Sequence, residues 1–399
     1  MAGGRGPRAA GPPRALMRRK GGTLTAAPRS STLSAAVGTC LERGLTFAAW
    51  RLPDTGRKII AIQNDDRLDA VDELGGLASC KGFVVAPFRA GPGRRAFAIR
   101  PDILAQDGTT ASLAGEIDSL EAGGGVDRPS GPPIEVGRDE YLGQARLVID
   151  AIRGGDYDKV VLSRVKSVPG DFGSRLGDIF DLLCESYANA FVYLFQAGGR
   201  RWVGATPETL LCSKDGRLAT VSLAGTRPYA EANLDLARWN GKERAEQEYV
   251  TRQIEGILAD FGVRGAERTG PYARRAGNLL HLCSEFSFPS GELSARLGAF
   301  VDALHPTSAV CGIPKAGAMD LIASVERHDR EFYAGYIGPV GLGREPVQLF
   351  VNLRCMKVHP DRLSLFVGGG ITADSVPEDE WEETELKSET LLSIVGKVT

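Results

Sequence analysis

Carboxylates recur at helical spacing in two places. In PEDEWEETELKSETLLSIV, which begins at Pro377, Glu380, Glu383 and Lys387 stand at i, i+3 and i+7, so their side chains share one helix face. In KERAEQE, from Lys242, Glu243 and Glu246 repeat the device. Two such pairs could give oxygen ligands to Mg2+, a hard cation commonly held by one or two carboxylates together with a substrate. A solvated helix face also accounts for each pair taken alone. Gly368-Gly369-Gly370, directly after the strand LSLFV, could let backbone N–H groups approach a carboxylate, or could form only a tight turn or bulge. Arg354 interrupts the apolar strand LFVNLRCMKV, either as a solvated strand end or as a bidentate carboxylate clamp.

Two residues could move protons. Lys159 opens the strand KVVLSR behind Asp156 and Asp158. It is either an exposed lysine at a turn or a general base, and the second role needs burial or positive neighbours to bring a lysine pKa from about 10.4 toward 7 to 8. Glu208 follows Pro207 in GATPETLL, a pair that a first helical turn accommodates with no function at all.

These residues must be positioned by an intermixed set of elements. RKIIAIQ, GFVVAPF, RAFAIRP, KVVLSR, FVYLFQ, RWVGAT, LATVSLAG, LFVNLRCMKV and RLSLFVGG read as strands set off by Gly, Pro and Asp turns. YLGQARLVIDAI, KERAEQEYVTRQIEGILADF, AMDLIASVERH and PEDEWEETELKSETLLSIV carry a helical period. Strands in runs with helices outside predict an α/β (α+β) sandwich rather than a Rossmann domain. AGGGVDRPSGPP, over residues 122–133, is the best internal loop or linker. Residues 1–30 are rich in Arg, Gly, Pro and Ala with no acid before Glu42, and read as a disordered basic tail; an organellar transit peptide is the alternative. The expected organisation is that tail and a single domain over 31–399, made of an N-terminal part (31–135) and a core (136–399).

Composition narrows the partners. With 399 residues, 43% hydrophobic and 25% charged, the chain is ordinary for a globular protein. A net charge of −2 from 48 basic and 50 acidic residues favours neither nucleic acid nor an anionic membrane, so any anion must be caught locally. No window approaches the roughly 18 consecutive apolar residues of a membrane span. Seven cysteines without a CxxC pair argue against a zinc site or disulfide framework and for reduced thiols in the cytoplasm.

Taken in order, eight segments resemble the chorismate-utilising enzyme family, which includes isochorismate, salicylate, anthranilate and aminodeoxychorismate synthases. They are KVVLSR from Lys159, GATPETLL from Gly204, SLAGTRP from Ser222, KERAEQE from Lys242, LHPTSAVCGIPK from Leu304, REFYAG from Arg330, NLRCMKV from Asn352 and FVGGGITADSVPEDEWEETELK from Phe366. The resemblance implies a sandwich of large mixed or antiparallel sheets with helices packed outside, and one deep pocket for chorismate and Mg2+. By the same likeness Glu246 and Glu383 would hold the metal with Glu243 and Glu380 beside them. Arg354 and Tyr333 would clamp the enolpyruvyl carboxylate, helped by the backbone of Gly368, Gly369 and Gly370. Gly225, Thr226 and Lys387 would add carboxylate-side contacts. His281 would lie near the reacting ring or be bonded within the core.

The nucleophile separates the family's members. Those that add water resemble this chain in having a lysine at Lys159, because water needs a base at the moment of attack whereas ammonia already has its lone pair. Glu208 then fits as the acid that protonates the departing C4 hydroxyl while water enters at C2, each transfer typically worth about 10²- to 10⁴-fold. Ala309-Val310 in HPTSAVCG, the Leu353-Arg354-Cys355 run and the ending EWEETELK resemble the members that stop at isochorismate. The implied activity is that of an isomerase converting chorismate to isochorismate for menaquinone or siderophore biosynthesis. A salicylate synthase or a non-catalytic chorismate-binding paralogue are the alternatives. The implied partner is one small molecule, with no nucleic acid or membrane, on a monomer or weak homodimer. Two departures stand out: Gln247 replaces the histidine of the family's usual Glu-His, and Ser284 in HLCSEF replaces its usual threonine.

Overall fold

The computed structural model describes residues 32–71, 76–91, 94–107, 113–121, 131–276, 279–293 and 296–398. The expected tail and most of the 122–133 linker lie outside the described residues. Ser31–Thr399 gathers into one compact unit.

Its strands form two nine-stranded sheets. The first runs, in spatial order, Gly312–Ile313, Lys159–Pro169, Arg362–Ile371, Cys355–Val358, Arg200–Thr206, Phe191–Ala197, Phe47–Arg51, Lys58–Ile62, Ile103–Gln106. The second runs Glu267–Ala276, Leu279–Pro289, Arg217–Pro228, Thr209–Lys214, Gln348–Val351, Tyr336–Val340, Gly82–Ala86, Phe97–Ile99, Asp69–Ala70. Every pairing among the described residues is antiparallel. Tight hairpins account for part of this. Gly198-Gly199 joins Ala197 to Arg200 and Asp215-Gly216 joins Lys214 to Arg217, each with both central residues at positive φ, as the hairpin turn that matches strand twist requires. The N-terminal third supplies three strands to each sheet.

FVYLFQA over Phe191–Ala197 is buried on both faces because each face has its own cover. Phe191, Tyr193 and Phe195 point into the core between the sheets, while Val192 and Leu194 point into a second core under the helices Thr32–Glu42 and Leu176–Ser186. Across the first core Phe191 stacks on Phe350 at 4.2 Å and Trp50 meets Phe83 at 5.3 Å. The helix Gly241–Asp260 buries Gln247, Val250, Ile254 and Leu258, at three- and four-residue spacing. The helix Pro377–Val395 follows the strand Arg362–Ile371.

Three local expectations change. LFVNLRCMKV is two strands, since Gln348–Val351 belongs to the second sheet and Cys355–Val358 to the first, and Arg354 sits at the crossing with φ 47°. Pro207-Glu208 opens no helix; it is the crossing from Arg200–Thr206 in the first sheet to Thr209–Lys214 in the second. The glycine triplet lies inside the strand Arg362–Ile371, paired with Ser163, Leu162 and Val161. Arg354 and Pro207-Glu208 do interrupt their apolar runs, but a polar interruption alone does not tell a change of sheet from a turn or a helix start. The two crossings are bonded together, Val351 N–H to Glu208 O at 2.9 Å and Ala205 N–H to Arg354 O at 3.0 Å.

All seven cysteines are unpaired. Among the described residues no helix is long and apolar enough to cross a membrane.

Candidate active site

The strand Lys159–Pro169, the glycine strand beside it, the two crossings and the strands Arg217–Pro228 and Leu279–Pro289 enclose one cavity of about 60 Å³. Glu208, Gly225, Thr226, Glu246, His281, Ala309, Val310, Tyr333, Leu353, Arg354, Gly368, Gly369, Gly370 and Lys387 line it. Larger surface hollows of about 620, 800 and 900 Å³ contain none of these residues.

Lys159, Glu380 and Glu383 lie directly behind that lining. A Cβ added at Gly370 would sit 2.4 Å from Glu246 Oε1 and 2.7 Å from Lys159 Cε, and one at Gly369 would sit 3.2 Å from Glu380 Oε2 and 3.5 Å from Glu383 Oε1. The absence of a Cβ at 370 lets these side chains lie against the strand as they do. Val161 and Ser163 donate their N–H groups away from the glycine strand, to Cys311 O and Glu326 Oε1. By antiparallel alternation Gly368 and Gly370 therefore also turn their backbone groups away from that pairing. Lys387 Nζ accordingly donates to Gly368 O at 2.9 Å.

Each acid of this wall carries a lysine. Lys159 is fully buried and its Nζ lies 3.1 Å from Glu246 Oε1, at an angle that makes no hydrogen bond. Lys242 reaches Glu380 at 2.5 Å and Lys387 reaches Glu383 at 2.6 Å. Burial, then the Glu383 charge, raises the Glu380 pKa; for Glu383 burial pushes up but Lys387 prevails and holds it below the usual range. Glu380 Oε2 is buried with no hydrogen-bond partner. Glu243 does not join them. Both its oxygens accept from Arg227, at 2.6 and 2.7 Å, and it closes the capping box with Asn240 at the start of its helix.

The facing wall is differently furnished. Glu208 is buried, with only a 3.5 Å contact from Thr307 Oγ1, and burial outweighs the nearby Lys159 charge to push its pKa up to about 7. No hydrogen bond or ion pair to another described residue engages the Arg354 guanidinium. Tyr333 stacks on Phe366 at 5.5 Å with its hydroxyl 2.9 Å from where a Gly368 Cβ would stand. The Gly225 carbonyl, turned by a bulge at φ 70°, accepts from His281 Nδ1 at 2.8 Å. That fixes the tautomer, leaves Nε2 buried as a bare acceptor, and burial with Arg354 and Lys387 lowers the His281 pKa to about 3. Thr226 Oγ1 lies 3.4 Å from the same Nδ1. Val310 is held through its carbonyl by Arg330 at 2.8 Å, which also bonds Val161 O and Glu326.

The two departures from the family pattern touch each other. Gln247 Nε2 donates among Ser222, Thr251 and Ser284 oxygens, each at 2.9 Å, and so ties its helix to two strands of the second sheet. Sequence reasoning missed Lys242, Thr307, Leu223 and Ala224, although all four stand inside the matching segments.

Fold and site together define a chorismate binding enzyme, and the chain belongs to that family, whose pattern matches residues 128–396. It is 31% identical over 251 residues to isochorismate synthase EntC of Escherichia coli (strain K12), 60% of this chain and 62% of that protein. It is 31% identical over 268 residues to anthranilate synthase component 1 of Bacillus pumilus, 64% of this chain and 51% of that one. The chain thus spans less than two thirds of the length of these relatives. MenF, the menaquinone-specific isochorismate synthase of Escherichia coli, shares the fold with TM-score 0.69 at 19% identity, over 90% of this chain and 91% of that chain.

Proposed function

We propose that this protein converts chorismate to isochorismate, with water entering at C2 and the C4 hydroxyl leaving. The observation that carries the reading is the pair Lys159 and Glu208. Lys159 is fully buried directly behind the lining, against Gly370 and Glu246, while Glu208 is buried in the lining itself with its pKa raised by that burial, so an amine and a protonated carboxyl stand at one site. Lys159 takes the proton of the attacking water, and Glu208, protonated up to about pH 7, gives its proton to the departing hydroxyl. Arg354 and Tyr333 hold the enolpyruvyl carboxylate, and His281 Nε2 accepts from a substrate hydroxyl.

The donor set fits Mg2+, with oxygen ligands only, an orphaned Glu380 Oε2 and a glycine floor that brings three carboxylates together. Glu246 and Glu383 would hold the ion, with Glu380 beside them, and Glu243 leaves the set. Bound there, the metal would neutralise the ring carboxylate. No group of three or more acids, histidines or cysteines among the described residues is already arranged around one point, and the lysines explain why. Isochorismate so formed serves menaquinone or siderophore synthesis in the cytoplasm.

The test is product identification. Purified protein with chorismate and Mg2+ should yield isochorismate by chromatography. Salicylate formed as fast as chorismate is lost would replace this reading with a salicylate synthase, and calorimetric binding without turnover would replace it with a binding protein.

A further inference from the structure

Asn352 stands at the crossing between the sheets, two residues before Arg354, and all its polar groups face the segment that carries Tyr333 or the core beneath it. Its N–H donates to Gly335 O at 2.8 Å and its carbonyl accepts from Ala334 N at 2.9 Å. Its side-chain Nδ2 donates to Phe332 O at 2.9 Å. Its Oδ1 accepts from the Tyr193 hydroxyl at 2.6 Å. Asn352 is 1% exposed and Tyr193 fully buried.

Tyr193 is itself fixed. It stacks between Phe191 and Phe195, at 6.1 Å from each ring, and Gly204 gives its edge room, since a Cβ there would lie 3.0 Å from Tyr193 Cε1. A phenylalanine would fill this place as well, so packing alone does not explain the hydroxyl. What the hydroxyl reaches does. Among the described non-glycine residues at positive φ, Glu331 (47°) and Ala334 (61°) flank Tyr333, and Arg354 (47°) ends the crossing. Such conformations persist where surroundings over-determine them, and Asn352 bonds into both turns at once.

We infer that Tyr193 and Asn352 are a positioning pair that locks Tyr333 and Arg354 into one register for a single substrate carboxylate. Neither touches the substrate; Tyr193 acts through Asn352, and Asn352 through the two turns. The inference rests on the reading of Tyr333 and Arg354 as the carboxylate clamp.

Tyr193→Phe keeps the ring and removes the bond. It should raise the chorismate KM, and the calorimetric Kd, by about tenfold, the size of one buried hydrogen bond, with kcat within about threefold of wild type and an unchanged circular dichroism spectrum. Asn352→Ala, which drops both side-chain bonds, should raise KM further. In an Arg354→Ala background Tyr193→Phe should add less than about twofold, because the residue it serves is gone. An unchanged KM in Tyr193→Phe while Arg354→Ala is strongly impaired overturns this inference alone. The same tenfold effect in both backgrounds also overturns it, as general loosening. An unchanged KM and Kd in Arg354→Ala overturns the clamp and this inference with it.

Discussion

The two walls of the cavity treat charge in opposite ways. On the helix side every carboxylate already has a cation: Glu246 faces Lys159, Glu380 faces Lys242 and Glu383 faces Lys387. On the crossing side Glu208 has one weak contact, His281 Nε2 has none and the Arg354 guanidinium has no ion pair. A buried polar group without a partner is costly, and it is tolerated where a ligand will supply one. The contrast is one of ion pairing: the helix-side carboxylates are each matched by a lysine, although Glu380 Oε2 and Lys159 Nζ still lack hydrogen-bond partners, whereas the charged groups of the crossing side have no ion pair among the described residues. On the proposed function, the first wall would exchange its lysines for the metal and the second would recognise and protonate the substrate.

The largest effects should come from the two groups proposed to move protons. Lys159→Ala and Glu208→Gln should each lower kcat by about 10²- to 10⁴-fold in isochorismate formation, and wild-type turnover in either would end its assignment. Next, Arg354→Ala should raise the chorismate KM about 100-fold with a smaller change in kcat, as expected for losing a charge-assisted clamp.

Glu208 gives a pH signature of comparable size in stability. Its folded pKa of about 7 lies above the ordinary carboxyl value, so the folded state binds the proton more tightly than the unfolded one. The resulting stabilisation is complete below about pH 4 and is lost as pH rises through 7, up to about 3 kcal/mol. Glu208→Gln should thus match wild type in thermal melts at pH 4 and exceed it at pH 8.5. In the wild type kcat should fall about tenfold per pH unit above 7. Melts whose difference does not grow with pH would break the contrast between the walls.

The smallest effect probes the ion-paired wall. Lys242→Met removes the cation at Glu380 and should tighten Mg2+ binding by a few-fold in calorimetry, since a competing charge is gone. Weaker binding would make Lys242 a support for the metal site rather than a stand-in for the ion.

Much of this was legible in sequence. The 3.6-residue period put Glu380, Glu383 and Lys387 on one face, and the ordered segments contain residues as distant as Glu208 and Arg354, which line one cavity, with Lys159 directly behind it. Glu243 was misread because a glutamate three residues into a helix serves a capping box as readily as a metal; Asn240, three residues earlier, was the available clue. The changes of sheet at Pro207-Glu208 and Asn352–Arg354 were not legible, because the polar residues there mark a break without saying that the chain passes to the other sheet. Nor could the sequence pair Gln247 with Ser284, which meet only once helix and sheet are packed.

The seam between the sheets has a kinetic corollary. Glu208 and Arg354 sit on the crossings, and Lys159 sits on the strand Lys159–Pro169, whose partner is Arg362–Ile371, about two hundred residues away. Contacts of such separation close slowly, because the loop entropy precedes the reward. During refolding, helices and local hairpins should return first and turnover last, so that catalysis marks the final step of assembly.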